Sequence, residues 1–241
     1  MSGALFDEAA LPSLNDLRAV FLGIEGVLCP PRWTLLKQSL LAALEAGRHA
    51  VGERALERAA AALERQPRRG GKGMDRYGAD WVRALLRRLG LADADQPDIF
   101  ALPTAYTPDD LYPDVMPFLG VLRTRAIARV VIAFPGDPSP HEVTRLLDIG
   151  DQCDLLVVTE DDDRDEMSAR GALLTALEVC HIRPEQAALV SAQPRPLTEA
   201  KACRIHPVRI AREEPNVPAL RTLEALVPEE LRAAVAESGL L

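Results

Sequence analysis

The stretch Leu17-Arg-Ala-Val-Phe-Leu-Gly-Ile, followed directly by Glu25-Gly26, decides how the rest of the chain is interpreted. A short apolar run that ends at a glutamate and a glycine predicts a buried strand followed by a turn. Pro30 and Pro31 come next. We expect them to keep a helix from starting at once, because proline lacks the backbone N–H that a helix interior uses.

The section 34–108 has few β-branched residues and is rich in Ala, Leu, Arg and Glu. Apolar residues recur there at helical spacing, which predicts an all-helical insert of three helices. The first carries Leu36, Leu40, Leu41, Leu44 and Val51, the second covers 55–66, and the third covers 77–89 and stops at Gly90.

Beyond Pro113, short apolar strands alternate with helices. The predicted strands cover 128–134, 154–159, 187–191 and 206–211, and the predicted helices cover 115–124, 141–148, 171–180, 197–203 and 228–238. This order is typical of right-handed βαβ units, whose parallel sheet is covered by helices on both faces. We therefore predict the α/β class, with a three-layer Rossmann-like core over 1–33 and 112–241 and an inserted helical cap domain over 34–111.

The amino-acid composition and charge argue against several classes of protein. Hydrophobic residues make up 48% of the chain but aromatic residues only 4%, which favours helices packed on an aliphatic sheet. The net charge of −8 argues against a general nucleic-acid binder. No stretch is long and apolar enough to span a membrane, and the N-terminus lacks the features of a signal peptide. The four cysteines show no C-x-x-C spacing, so we expect reduced thiols and a cytoplasmic location.

Four segments, in the right order, carry a resemblance to a known family. Ala19-Val-Phe-Leu-Gly-Ile-Glu-Gly-Val-Leu resembles the family's first motif, an apolar strand followed by Asp-x-Asp-Gly-Thr-Leu. The segment 111–123 resembles the helix entry before the second motif, 174–190 resembles the helix, turn and strand that lead to the fourth, and 199–205 matches the helix after the fourth. The chain is similar in this way to haloacid dehalogenase (HAD) superfamily hydrolases that carry a helical cap after the first motif. The resemblance covers nearly the whole chain.

The resemblance implies that this chain has other residues at the positions of the family's catalytic side chains. The family's nucleophilic aspartate, which forms a covalent intermediate, corresponds to Gly23, and its acid–base aspartate corresponds to Glu25. A glycine has no side chain to attack with, whereas Glu25 keeps a carboxylate that is one methylene longer. Glu25 is therefore the only candidate catalytic residue, as a base or a metal ligand, beside the simpler interpretation of a surface glutamate.

The other three motif positions are also replaced. The hydroxyl that follows the second strand is absent at Ala133 and Phe134, the lysine position falls at Met167 or Ser168, and the first metal-binding aspartate corresponds to Ala192. Mg²⁺ is the family's cofactor, but its carboxylate ligands are missing, so we expect no cofactor and no metal site. Arg164 and Arg170 flank the lysine position and are possible anion contacts.

Two charged segments are candidate binding sites for ions or partners of opposite charge. The acidic run 160–166 follows a predicted strand, and the basic run 65–73 lies in the helical insert with Arg83, Arg87 and Arg88 nearby. A cation or basic partner fits the first, and an anion or acidic partner fits the second. A solvated surface is the default interpretation of both.

These observations predict a catalytically inactive HAD-like protein that acts by binding, in a scaffold, regulatory or cargo-type role. The vestigial cleft would consist of Gly23, Glu25, Ala133, Phe134 and Ala192. One alternative is a divergent hydrolase or phosphatase that uses Glu25 as a base, and another is a sensor of a phosphorylated small molecule. We expect a protein partner, with homodimerisation possible, and neither nucleic acid nor membrane as a partner.

Overall fold

The computed structural model describes residues 12–64, 77–91, 97, 98, 102, 105–134, 137–158, 165–212, 217 and 219–228, with the backbone alone at Glu64 and 165–168. Contacts divide the chain into two compact units, Met1–Pro30 with Thr107–Leu241 and Pro31–Tyr106. The sequence-based boundaries lie within a few residues of these. That the helical unit acts as a cap stays a prediction.

The larger unit is built on five parallel strands. They are β1 (Ala19–Leu22), β2 (Ala128–Ala133), β3 (Leu155–Val158), β4 (Ala187–Ser191) and β5 (His206–Arg209), in the order β3-β2-β1-β4-β5. In the register, Phe21 of β1 lies between Val130 of β2 and Leu189 of β4. All residues of β1 and β4 are buried, as expected for central strands covered on both faces. The predicted α/β fold class is confirmed.

Helices of the larger unit alternate with these strands. They are α4 (Val115–Thr124), α5 (Pro140–Leu146), α6 (Asp165–Cys180) and α7 (Pro194–Ala202). One buried cluster joins the sheet to α6 and α7 through Phe21, Phe134, Leu173 and Leu197. Among the described residues, none of the helices has the length and apolar character needed to cross a bilayer.

The smaller unit contains α1 (Arg32–Ala46), α2 (Glu53–Glu64) and α3 (Ala79–Arg88). Its core is formed by leucines at helical spacing in α1, which pack with Leu56 and Leu85, and by aromatic contacts of Trp81. Lys37 of α1 pairs with two glutamates of α2 at 2.6 and 3.0 Å. Gly90 follows the end of α3 with a φ of +83°, which is the backbone conformation predicted for a glycine stop.

Several local predictions were wrong or fall outside the described residues. Helix α1 begins directly after Pro31, because proline fits the start of a helix, where its N–H would have no partner. Helix α6 begins at Asp165, earlier than the predicted 171. Nearly all of the predicted helix 228–238, the basic run 65–73 and Arg164 lie outside the described residues.

Candidate functional site

Gly23 directly follows β1 at the carboxyl edge of the sheet, where ligands of α/β proteins bind. Its N–H donates to the carbonyl of Val190 at 3.0 Å. A Cβ atom at Gly23 would lie 3.5 Å from Ser191 Oγ and 3.6 Å from Val27 Cγ2, which is ordinary van der Waals contact. The backbone therefore accepts a Cβ atom at this position, and the turn does not require a glycine at position 23 on steric grounds.

Gly26, three residues further on, is a glycine for a steric reason. Its φ is +76°, and a Cβ atom there would approach Ala192 Cβ to 2.7 Å. Its N–H donates to the Cys29 carbonyl at 2.7 Å, and Ile24 O accepts from Leu28 N at 2.9 Å. The turn after β1 therefore presses against the segment after β4, and both Gly26 and the small Ala192 are needed for this contact.

Glu25 lies inside this tight turn, next to Gly26, and is paired with Cys29 through a β-bridge. The residue is half-buried, whereas Cys29 is fully buried. The structure thus places Glu25 at the carboxyl edge of the sheet with part of its surface accessible. Cys29 is a small core residue.

Asp137 and Gln193 form a bridge across the same edge of the sheet. Asp137 Oδ2 accepts a hydrogen bond from Phe134 N at 2.9 Å, and Asp137 Oδ1 accepts one from Gln193 Nε2 at 2.8 Å. Asp137 follows β2 and Gln193 follows β4, and these strands flank β1 on its two sides. The bridge between them therefore crosses the carboxyl end of β1, where Gly23 lies.

Ser191, the last residue of β4, continues this network. Its side chain is 2% exposed, and its Oγ accepts a hydrogen bond from Gln193 N at 3.1 Å. Sequence reasoning missed Ser191, Asp137 and Gln193. The signal that was available for Ser191 is its position as the one polar residue at the end of the apolar run Ala187–Ser191.

The remaining predicted site residues differ in burial and position. Ala133 ends β2 and Phe134 follows it at the same edge, but both are buried, and Phe134 packs in the main core cluster. Arg170 is exposed on the second turn of α6. The side chains of Met167 and Ser168 and the whole of Arg164 lie outside the described residues. The structure therefore gathers Gly23, Glu25 and Ala192 at one edge, together with the bridge.

The described carboxylates at this edge are those of Glu25 and Asp137. Both carboxylate oxygens of Asp137 accept hydrogen bonds. Across the described ranges, no group of three or more His, Cys, Asp and Glu side chains is arranged to hold a metal ion. That this edge binds no Mg²⁺ stays a prediction from the sequence.

A buried ion pair between Arg212 and Asp114 also contacts the turn after β1. Arg212 contacts both carboxylate oxygens of Asp114 at 2.9 Å, and it donates to the carbonyl of Val27 at 3.0 Å. Asp114 Oδ2 also accepts from Leu223 N at 2.6 Å. The guanidinium lies 4.0 Å from the ring centroid of Tyr112. Sequence reasoning did not identify this pair, which fixes the turn rather than contributing a reactive group.

The amino edge of the sheet carries a second ion pair. Arg129 Nη2 lies 2.7 Å from Asp154 Oδ1, and Arg129 Nε donates to Asp154 Oδ2 at 2.9 Å. The hydrogen bonds from Arg129 lower the pKa of Asp154 below its usual range. Burial raises the pKa of the neighbouring Cys153 to about 11, so its thiol is protonated at neutral pH and is not a nucleophile.

The architecture is shared with a group of solved structures. The chain is similar to the crystal structure of a dehalogenase in an intermediate complex, with a TM-score of 0.57, 18% identity, and coverage of 88% of this chain and 96% of that chain. The chain therefore has the HAD fold. No model of a known protein family matches the chain, and no curated protein sequence matches it.

Two further structures support the HAD fold. A β-phosphoglucomutase from Clostridium difficile has a TM-score of 0.53 and 13% identity, with coverage of 92% of this chain and 98% of that chain. A HAD phosphatase from Thermococcus onnurineus has a TM-score of 0.51 and 21% identity, with coverage of 91% and 98%. At these identities the likeness concerns the fold, and the chemistry has to be argued from the residues of this chain.

Proposed function

We propose that this chain is a catalytically inactive HAD-like protein that acts by binding a protein partner, in a scaffold or regulatory role. The observation that carries the proposal is the Asp137–Gln193 bridge, which crosses the end of β1 where a ligand would meet the nucleophile. The chain's own side chains thus make hydrogen bonds across this edge. At the end of β1 itself, Gly23 supplies no attacking group.

The contacts beside the bridge support a structural rather than a catalytic role for the carboxyl edge of the sheet. Gly26 packs against Ala192, and Ser191 is buried and accepts a hydrogen bond from its neighbour. Covalent phosphoryl or acyl transfer needs a nucleophile and a positioned acid or base within reach of it. Of the motif positions whose side chains the structure describes, Glu25 alone retains a group of that kind.

Hydrolysis of p-nitrophenyl phosphate with Mg²⁺ tests the proposal directly. We expect the wild-type protein, Glu25→Ala and the control Glu142→Ala to give the same rate as buffer alone, because the edge lacks a nucleophile. Glu142 is an exposed residue of α5 and serves as the matched control. Turnover by the wild type that is lost in Glu25→Ala and kept in Glu142→Ala would overturn the proposal.

The alternative is a divergent hydrolase or phosphatase in which Glu25 acts as a base on water. Its support is that Glu25 is only half-buried at the ligand-binding edge of the fold. The same assay separates the two functions, since only the alternative predicts a rate that depends on Glu25. A third candidate, a sensor of phosphorylated metabolites, predicts a rise in melting temperature with such compounds and no turnover.

A further inference from the structure

The helical unit carries the opposite charge to the rest of the chain. Residues 31–106 contain 13 lysines and arginines against 9 aspartates and glutamates, whereas the remaining residues contain 15 against 27. The helical unit therefore has a net charge of +4, and the larger unit has a net charge of −12. This asymmetry favours the helical unit as the place where a negatively charged partner binds.

Two arginines occupy the outward face of α2. At about 100° per residue, Arg54 and Arg58 lie on the side of the helix opposite Leu56, Ala59 and Ala60. Those three residues are buried in the core of the helical unit, whereas both arginines are exposed. The arginines therefore lie on the face of α2 that is turned away from this core.

The charges of these two arginines are not taken up by ion pairs. Lys37 of α1 binds the glutamates on the flank of α2, Glu53 at 2.6 Å and Glu57 at 3.0 Å. Within the described parts of the chain, neither Arg54 nor Arg58 forms an ion pair. Arg58 Nε donates to the carbonyl of Arg54 at 3.2 Å, which leaves the two terminal amino groups of Arg58 for a ligand.

A cavity of about 590 Å³ lies against this face of α2. Its described lining residues are Arg54, Glu57, Arg58 and Ala61. The volume falls within the range of about 300–1,000 Å³ that is usual for ligand-binding pockets. Ala61 ends at its Cβ atom, so it leaves space beside the two guanidinium groups. The cavity therefore combines room for a ligand with two positive charges on its wall.

We infer that this cavity binds an extended acidic segment of a partner protein, in which Arg54 and Arg58 each bind one carboxylate. Residues i and i+4 of a helix have Cβ atoms about 5–6 Å apart. Carboxylates at alternate positions of an extended segment lie on one side of it, about 6–7 Å apart. The two spacings match, and the planar guanidinium group binds a carboxylate through two parallel hydrogen bonds.

The charge distribution favours a protein segment over a nucleic acid. A nucleic acid carries a phosphate charge at every nucleotide, so the net charge of −12 on the larger unit repels it. An acidic segment of a few residues needs contacts with α2 alone. The inference rests on the proposed function, because it names the chemistry of the protein partner, but it involves no residue of the carboxyl edge of the sheet.

Fluorescence anisotropy of a labelled peptide tests the site in the full chain. The probe is a peptide of alternating glutamate and serine, and we expect saturable binding that weakens as salt is added. Arg54→Gln with Arg58→Gln should weaken binding by roughly five- to thirtyfold, because two ion pairs are lost. Arg123→Gln with Arg145→Gln, at exposed positions of α4 and α5, is the matched control and should leave the dissociation constant unchanged.

Three results of this assay would overturn the inference. They are no binding of the peptide by the wild type, an affinity that the α2 variant leaves unchanged, and an equal loss in the α2 variant and the control. Arg54 and Arg58 are both exposed, so circular dichroism and melting temperature should match the wild type in the α2 variant.

Two further probes test the chemistry of the ligand. A peptide of the same composition, with its glutamates grouped in one block, should bind more weakly than the alternating peptide, because its neighbouring carboxylates point to opposite sides. Equal affinity for the two peptides would contradict the paired spacing. A single-stranded oligonucleotide of equal charge should bind more weakly than the alternating peptide. Tighter binding of the oligonucleotide that depends on Arg54 and Arg58 would show that the partner is not a protein.

The peptide assay and the hydrolysis assay fail independently of each other. Turnover of p-nitrophenyl phosphate that depends on Glu25 would overturn the proposed function and leave the affinity for the peptide in place. A wild type that neither hydrolyses the ester nor binds the peptide would overturn the present inference alone, because the proposed function would still pass its own test.

Discussion

The two edges of the sheet are held in opposite ways. At the amino edge, Arg129 and Asp154 join β2 to the start of β3 through a charged pair whose carboxylate is 44% exposed. At the carboxyl edge, the hydrogen bonds of Asp137, Gln193 and Ser191 join segments on the two sides of β1, and both Asp137 and Gln193 are half-buried. The comparison teaches that the amino edge is held by an ion pair between neighbouring strands, whereas the carboxyl edge, where α/β proteins bind ligands, is crossed by hydrogen bonds between segments that are distant in the chain.

The largest loss of stability is expected when the ion pair between Asp114 and Arg212 is removed. Asp114→Ala should lower the free energy of unfolding by about 3–5 kcal/mol, because it leaves the buried Arg212 guanidinium without its anion. Urea unfolding followed by circular dichroism measures the change. Asp151→Ala, at an exposed position, is the control and should change little. A loss below about 1 kcal/mol would show that water replaces the carboxylate at this site.

The next largest effect separates the two glycines of the turn after β1. Gly26→Ala should cost about 2–3 kcal/mol, because its φ is +76° and its Cβ would meet Ala192 Cβ at 2.7 Å. Gly23→Ala should cost less than about 1 kcal/mol, because its Cβ finds ordinary contacts at 3.5 Å and beyond. Melting temperatures of the two variants measure the difference. Equal losses would mean that the turn does not constrain these positions differently.

Removal of the Asp137–Gln193 bridge should lower the free energy of unfolding by less. Asp137→Ala should cost about 1–3 kcal/mol, since it leaves Phe134 N without its acceptor, and Gln193→Ala about 1 kcal/mol. A double-mutant cycle of the two should give a coupling energy of about 0.5–1.5 kcal/mol. Coupling near zero would show that the two side chains do not act as a bridge in solution.

The smallest effect concerns the amino edge and depends on pH. The pKa of Asp154 is lowered in the folded protein, so its contribution to stability is present above the unfolded value of about 3.9 and is lost as pH falls through the folded pKa. Asp154→Asn should therefore reduce the melting temperature at neutral pH and remove part of the loss seen on acidification. A variant whose acid profile matches the wild type would show that other carboxylates dominate it.

The spacing of apolar residues along the chain predicted the helices and strands of the fold well. Helix α4 and strand β4 occupy the predicted residues, and β2 differs by one residue at its end. These segments have clear apolar runs and good turn residues, so local and tertiary preferences agree. The start of α1 differs from the prediction because Pro31 does not delay the helix: it occupies the N-cap position directly before Arg32, where a backbone N–H is not needed.

The candidate site was predicted only in part. Gly23, Glu25 and Ala192 could be placed at one edge because each follows or lies within a segment with a motif-like pattern. Asp137 could not, because it is 56 residues from Gln193 in the chain and does not occupy a motif position. Likewise Arg212 is 98 residues from Asp114. No local pattern reports a hydrogen bond between segments so far apart.

The sequence by itself determined the α/β class, the parallel sheet, the glycine at position 23 and the carboxylate at position 25. Those features follow from residue type and from short-range periodicity. The tertiary structure alone decided that β2 and β4 flank β1, that Asp137 and Gln193 therefore meet across it, and that Gly26 has no room for a side chain while Gly23 has. The physical reason is that parallel strands are joined through crossovers, so neighbours in the sheet are distant in the chain.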